Sequence, residues 1–411
     1  MTRMRLLGLQ WLFGWMNLAL AVPSIYLMFG MPLVMRQHGW SGTGIGLFQL
    51  AALPALFKFL LAVPVQRMRL GRRHFVIWLW ALNVMLLALF WLIGRQNLIQ
   101  KPVSLFVLTV AISIATTWAD IPVNALAVQW LPRSAQLHAG GIRSAALFLG
   151  VIAGGGLMLI VQSRWGWPAP FMLMSLALLS GCLPFLALRA RAESRASTRR
   201  DDGSGFVADW AGFFGQPGAR QWTWLLLTSF PFIGAAWLYL KPLMLDQGMP
   251  VERVAWLVGV AGGLTGALFS LGGGRLIPRL GVARAIVLYL FAALLALVLL
   301  TVSIWARLGV DWLVGSVLAL AASMGAVSAL MFGLTMFFTR KRSTASDYGL
   351  QSTLFTVSRL AVPVAAGAML DHFGPVGMLT GLSLGVLCAL FLAWRMRHLV
   401  AQTAQSMLGP E

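Results

Sequence analysis

The chain is a succession of long apolar runs separated by short polar connections. The runs occupy roughly 7–35, 44–66, 75–94, 103–130, 141–162, 168–188, 221–246, 252–273, 283–306, 311–338, 349–371 and 374–394, and most reach the 18 or more residues that cross about 30 Å of hydrocarbon as a helix. None alternates apolar and polar positions as a barrel strand does. A bilayer admits only helices or closed barrels, so the pattern predicts an all-α integral membrane protein with twelve spans, numbered here 1 to 12. The one long hydrophilic stretch, 189–220, opens Arg-Ala-Arg-Ala-Glu-Ser-Arg-Ala-Ser-Thr-Arg-Arg-Asp-Asp-Gly-Ser-Gly, a linker composition. It divides the chain into a six-helix half (1–188), a cytoplasmic linker (189–220), a second six-helix half (221–395) and a cytoplasmic tail (396–411). The first run follows Arg3 and Arg5 like a signal peptide, but it extends to about Met35. A signal h-region is only about 7–15 residues long, so the run is read as span 1.

Composition agrees with the pattern. Of 411 residues, 59% are hydrophobic and 10% charged, and the mean hydropathy is +0.82. A soluble domain carries about 25% charged residues, so this chain has too few for a water-facing surface. The net charge of +20 would suit nucleic acid, but its placement argues for topology instead. With twelve spans, 21 of the 31 Lys and Arg fall on the side of the two termini, and only 6 fall opposite: Arg36, Arg95, Lys101, Arg164, Arg253 and Arg307. Positive loops stay inside, which predicts both termini in the cytoplasm and no nucleic-acid partner. Cys182 and Cys388 lie far apart inside apolar runs and are read as packing residues.

The two halves repeat at an offset of 210 residues: Pro32-Leu33 recurs as Pro242-Leu243, Gln37 as Gln247, and Arg69-Leu70-Gly71 as Arg279-Leu280-Gly281. Two halves in parallel orientation are the plan of one large transporter fold. The loop after span 2 reads Gln66-Arg67-Met68-Arg69-Leu70-Gly71-Arg72-Arg73, and its counterpart contains Arg275, Arg279, Gly281 and Arg284. This pattern resembles the loop signature of the major facilitator superfamily, with Gln66 where that family often has Asp. The resemblance implies a twelve-helix major facilitator fold in which Arg67, Gly71, Arg72, Arg73, Arg279, Gly281 and Arg284 belong to a conformational loop. Two further stretches, Gly46 through Pro54 and Lys58 to Pro64 in span 2 and Ala119-Asp120-Ile121-Pro122-Val123-Asn124 in span 4, resemble the AmpG-like permeases. That group and the RhtX/FptX-type siderophore importers share an Asp-Ile-x-x-Asp-Ala pattern, of which this chain keeps Asp120 but has Asn124 at the second acid. Gly140-Gly141-Ile142-Arg143 through Gly150 to Gly154-Gly155-Gly156 resembles span 5 of the siderophore branch. The resemblance implies inward, proton-driven movement of a periplasmic solute.

Charges inside spans are costly, about 2.5–3.5 kcal/mol each, and usually face a cavity or a partner. Five qualify: Lys58, Asp120, Arg143, Lys241 and Arg359. At the 210-residue offset Lys58 maps onto Leu268, Asp120 onto Leu330 and Arg359 back onto Leu149, so the scaffold repeats and these charges do not. Asp120, with Asn124 one turn on, is a candidate to take up and release a proton; the alternative is a static ion pair with Lys58, at similar depth in span 2. Arg359 offers a fork suited to a carboxylate, or else has a static partner. Arg143 and Lys241 lie near span ends, where snorkelling toward water is expected. Four cations against one acid favour an anionic solute.

Most of the 18 Trp suit interfacial belts or packing. Trp11, Trp15 and Tyr26 in span 1, Trp118 beside Asp120, and Trp237, Tyr239 and Lys241 in span 7 are candidates for a cavity wall, where aromatic faces would suit a flat ligand. Pro23, Pro32, Pro54, Pro64, Pro231, Pro242 and Pro363 interrupt spans, which a bilayer tolerates beside a cavity or a neighbour. The chain shows no Walker loop, no metal spacing among its five His and no nucleophile triad, so neither an enzyme nor a bound cofactor is expected. Three readings remain open. One is a monomeric secondary importer of an anionic ferric siderophore, such as a pyochelin-type phenolate. Another is an AmpG-like muropeptide permease linked to cell-wall recycling and β-lactamase induction. The third is a non-transporting membrane sensor or assembly subunit.

Overall fold

The computed structural model describes residues 3–68, 70–71, 73–188 and 206–408. Among them are eleven helices long and apolar enough to cross a membrane: Met4–Gln37, Gly44–Arg67, His74–Arg95, Pro102–Trp130, Arg133–Trp165, Pro168–Leu186, Ala219–Asp246, Glu252–Leu280, Val282–Trp305, Val310–Phe337 and Thr344–His398. The last has 55 residues, roughly twice the number that a bilayer crossing needs. It breaks at Gly374, whose φ of 70° is non-helical and which precedes Pro375. Spans 11 (344–373) and 12 (375–398) are therefore separate crossings, and the expected twelve are present. No strand occurs among the described residues.

Proline shapes several spans as expected. Pro32 follows a π-helical turn, Tyr26–Gly30, because its missing N–H cannot continue the ladder. Pro54 lies inside a 3-10 segment, Gln49–Phe57, that tightens span 2. Pro231 restarts span 7 after a break at Ser229 and Phe230. The stretch 189–220 is not all linker: Phe206–Phe214 forms a helix, since the hydrophilic composition ends at Gly205 and Phe-Val-Ala-Asp-Trp-Ala-Gly-Phe-Phe follows.

The helices pack as two compact units, each drawing on both sequence halves. Unit 1 comprises residues 1–132, 149–210 and 339–353; unit 2 comprises 133–148, 211–338 and 354–411. In unit 1 the first turns of span 11 run antiparallel to the end of span 2. Gln66 accepts from the Ala345 N–H at 2.9 Å and donates to the Arg342 carbonyl at 3.0 Å. A methyl at Gly349 would lie 2.6 Å from Ala62 Cβ, and Thr353 Oγ1 accepts from the Phe59 N–H at 3.1 Å. In unit 2 the first turns of span 5 run antiparallel to span 8. Gly141 and Gly274 approach so closely that a methyl on Gly141 would lie 2.6 Å from the Ser270 carbonyl, and one on Gly140 would overlap the backbone of Gly333 in span 10. Ser144 and Ser270 share a hydrogen bond at 2.8 Å, and Ser270 donates on to the Gly325 carbonyl at 3.0 Å. Small residues let helix backbones meet in this way where the lipid supplies no hydrophobic drive.

Candidate functional site

Asp120 is the centre of a polar cluster inside unit 1. It lies in the long helix Pro102–Trp130, and its side chain is only 16% exposed. Lys58 Nζ, from the turn at which span 2 passes from 3-10 to α geometry, forms an ion pair with Asp120 Oδ2. The Tyr348 hydroxyl, from span 11, donates to the same oxygen at 2.6 Å. Asn124 Nδ2, one turn along span 4, donates to Oδ1 at 2.8 Å. Both carboxylate oxygens are thus satisfied, as a buried charge requires. Lys58 also lies 4.8 Å from the centre of the Tyr348 ring, within cation–π range. Behind Asn124, Asn17 of span 1 closes the cluster at 3.4 Å and is itself tied to the Phe13 carbonyl at 2.8 Å.

The arrangement holds one carboxylate, one ammonium that balances its charge, and neutral donors that can bond the acid ionised or protonated. Asn124 shapes this directly. At 2.8 Å, a second acid in its place would set two carboxylates against each other and force them to share a proton; the amide leaves a single acid. Tyr348 was not singled out in the sequence. Its signal, a fully buried tyrosine two turns from the charges of the loop before span 11, is indistinguishable by pattern from a packing residue.

Two other in-span cations lie in unit 2 and are open. Arg359 and Lys241 are exposed, and among the described residues neither has a hydrogen-bond or ion-pair partner. The lone guanidinium sits one turn before Pro363, which has no N–H for the Arg359 carbonyl. Tyr239 donates to the Pro363 carbonyl at 3.0 Å, and its hydroxyl lies 2.5 Å from where a Gly367 methyl would be. Tyr239 is therefore engaged in bracing span 11. Arg143 does not snorkel: it is 7% exposed, with its guanidinium 4.6 Å above the Phe332 ring, because the small residues around it draw spans 5, 8 and 10 together.

The aromatic candidates separate. Tyr26 is fully buried, its hydroxyl donating to Gln162 at 2.6 Å and its ring set edge-on against Phe171 at 5.8 Å, so it presents no face to a ligand. Trp15 donates to Ala177 and Ser180 of span 6 at 3.1 and 3.0 Å. Trp118 leans on Trp78 at 5.6 Å, and Trp237 fills the space over Gly262. Trp11 is exposed and is the one of this set without such a contact.

In the loops, Gly71 and Gly281 hold φ of 85° and 77°, a left-handed turn that favours glycine. Arg73, Arg279 and Arg284 are exposed beside them, as is Arg67 at the end of span 2; Arg72 lies outside the described residues. Gln66, where an Asp was expected from the loop signature, caps the N-terminus of span 11 with a neutral amide. A charged network lies beside it. Arg340 holds Asp347 through Nε and Nη2 at 2.8 and 2.7 Å and bonds the Asp209 carbonyl at 2.7 Å, while Ser343 and Ser346 donate to the Asp209 carboxylate at 3.2 Å. Burial alone would lower the pKa of Arg340, but its bonds to Asp347, the charge of Asp347 and that of Asp209 hold it above its ordinary value. No group of three or more potential metal ligands occurs among the described residues.

Comparison with known proteins gives a consistent result. Residues 12–363 match the model of the Major Facilitator Superfamily. The chain is 26% identical over 351 residues, 80% of its length and 68% of the relative's, to the anhydromuropeptide permease of Escherichia coli K12. Among solved structures it is similar to the proton:xylose symporter XylE (TM-score 0.75, 10% identity, 95% of each chain). It is also similar to the E. coli fucose:proton symporter FucP (TM-score 0.71, 17% identity, 96% of this chain and 98% of that one).

Proposed function

The chain belongs to the Major Facilitator Superfamily, and on that premise we propose that it is a proton-coupled importer of an anionic organic solute across the bacterial inner membrane, with both termini in the cytoplasm. The observation that carries this reading is the single carboxylate of Asp120, bound by Lys58, Tyr348 and Asn124 inside an apolar helix. Proton uptake there neutralises the acid and frees the Lys58 ammonium. Arg359, without a hydrogen-bond or ion-pair partner among the described residues, binds the anionic group of the solute through its planar fork, with Lys241 adding positive potential in the same unit. A transporter of this kind needs no resident cofactor.

The solute we favour is a ferric siderophore of the phenolate type, on the likeness of spans 2, 4 and 5 to the siderophore importers. A second reading, an anhydromuropeptide, is favoured by the E. coli relative. The aromatic cavity walls do not decide between them, because Tyr26, Trp15 and Tyr239 are engaged in packing and hydrogen bonds.

Uptake of a ferric siderophore labelled separately on iron and on the organic moiety, in spheroplasts with and without the protein, tests the assignment. Accumulation of both labels only with the protein, abolished by a protonophore and by Asp120→Asn, is the expected result. Protein-dependent uptake of labelled anhydromuropeptide and of no siderophore would replace the first solute by the second. Protein-dependent flux of neither would remove the transport reading.

A further inference from the structure

Tyr348 belongs to the second sequence half, yet it sits in unit 1 against Lys58 and Asp120 of the first. It is fully buried, and its hydroxyl is 2.6 Å from Asp120 Oδ2 and 3.5 Å from Lys58 Nζ. It also lies within a row of contacts between spans 2 and 11: Gln66 with Ala345, Ala62 with Gly349, and Phe59 with Thr353. The other contacts of that row are a neutral amide cap, a steric fit and a backbone-to-hydroxyl bond, none of which changes with pH. Beside these contacts the tie of Tyr348 to the Asp120 carboxylate is titratable; the other acids at the first turns of span 11 are Asp347, held by Arg340, and Asp209, held by Ser343 and Ser346.

We propose that Tyr348 is a positioning residue that ties span 11 to the charge state of Asp120, so that protonation of Asp120 loosens the contact between spans 2 and 11. This rests on the reading of Asp120 as the proton site and deepens it. The groups facing Asp120 include Lys58 of span 2, Tyr348 of span 11 and Asn124 of its own helix, with Asn17 of span 1 behind Asn124. When Asp120 is ionised, Lys58 and Tyr348 both bind one oxygen and draw spans 2, 4 and 11 together. When it is protonated, the ion pair is lost, the remaining bond to Tyr348 is between neutral groups, and the Lys58 ammonium is left to seek water. Hydrogen bonds to charged groups are roughly twice as strong as neutral ones, so the tie weakens on protonation.

The test uses the accessibility of a cysteine placed at Ala345, which is fully buried at the Gln66 end of the row, in full-length protein with Cys182 and Cys388 replaced by serine. Proteoliposomes are treated with a membrane-impermeant thiol reagent at pH 8 and pH 5. Rates are normalised to denatured protein at the same pH. The proposal expects protection at pH 8 and labelling on the order of tenfold faster at pH 5, the factor that a hydrogen bond to a charged group carries. Tyr348→Phe keeps the ring over Lys58 and removes only the hydroxyl; it is expected to label fast at pH 8 with little further rise at pH 5. Wild-type protection in Tyr348→Phe at both pH values would overturn the proposal. Asp120→Asn separates the two levels. If it keeps both wild-type labelling and wild-type proton-driven uptake, Asp120 is not the proton site. If it abolishes coupling while Tyr348→Phe labels as wild type, the proton site stands and the role of Tyr348 fails.

Discussion

Two helix contacts in this protein are related by its internal repeat and are built on opposite principles. Span 2 against span 11, in unit 1, and span 5 against span 8, in unit 2, are antiparallel pairs joining the two sequence halves, and each maps onto the other at the 210-residue offset. The 5/8 contact depends on absent side chains: Gly140, Gly141 and Gly274 bring backbones together, with a hydrogen bond between the Ser144 and Ser270 hydroxyls. The 2/11 contact also has a close glycine fit, at Gly349 and Ala62, but it includes charge, at Lys58, Asp120 and Tyr348. At the offset, Lys58 and Asp120 become Leu268 and Leu330, and Tyr348 becomes His138. One contact is therefore fixed by shape, and the other carries the ion pair that the proposed reading makes the proton site. The repeat has kept the geometry in both places, with the Lys58–Asp120 ion pair in one and leucines at the matching positions of the other.

The largest expected effect is on the contact fixed by shape. Gly140→Val drives two methyls into the Gly333 backbone and is expected to cost about 3 kcal/mol, read as a fall in the thermal midpoint of the purified protein with transport lost. Next comes the charge set at the other contact. Lys58→Leu leaves Asp120 without its countercharge. Breaking a buried pair costs about 3–5 kcal/mol, and the partial exposure of Asp120 reduces this to about 2 kcal/mol here. The loss should shrink from pH 8 to pH 5, because protonation removes the unpaired charge as pH falls. Lys58→Leu combined with Asp120→Leu should recover most of the stability; equal loss in single and double variants would mean that the pair is not the source.

Arg359→Gln sharpens the comparison from outside it. The residue has no hydrogen-bond or ion-pair partner among the described residues, so the thermal midpoint should stay unchanged while KM for the anionic solute rises about tenfold, the scale of a charge-assisted bidentate contact. A drop in stability with KM unchanged would assign Arg359 a static role. The smallest effect is expected at Gln66→Ala, which removes a cap from span 11 at about 1 kcal/mol. The change should appear as faster hydrogen exchange in residues 344–349, with coupling to the proton retained.

Much of the fold was legible in the sequence, because hydrocarbon thickness fixes helix length and leaves little choice of element. Twelve runs, the prolines that distort spans 1, 2 and 7, and the Gly71 and Gly281 turns are all found. The pairing of Lys58 with Asp120 was legible as one of two alternatives, since two opposite charges at one depth in hydrocarbon have strong reason to meet. Other features were not legible. A span that is apolar on all sides carries no periodicity to say which face looks where, so Tyr26 could be assigned to a cavity wall when it is core, and Arg143 to the water when it lies over Phe332. Tyr348 escaped notice because its partners are 228 and 290 residues away and its own neighbourhood gives no sign of them. The helix Phe206–Phe214 was masked by the basic, serine-rich stretch before it.

The most direct test of the central claim is proton movement itself. Proteoliposomes holding a pH indicator would be given labelled solute, with wild-type protein and with Asp120→Asn, and solute exchange would be measured in parallel. The account predicts that solute entry with wild-type protein carries protons inward, whereas Asp120→Asn exchanges solute across the membrane without moving protons. Proton entry at the wild-type ratio to solute in Asp120→Asn would contradict it.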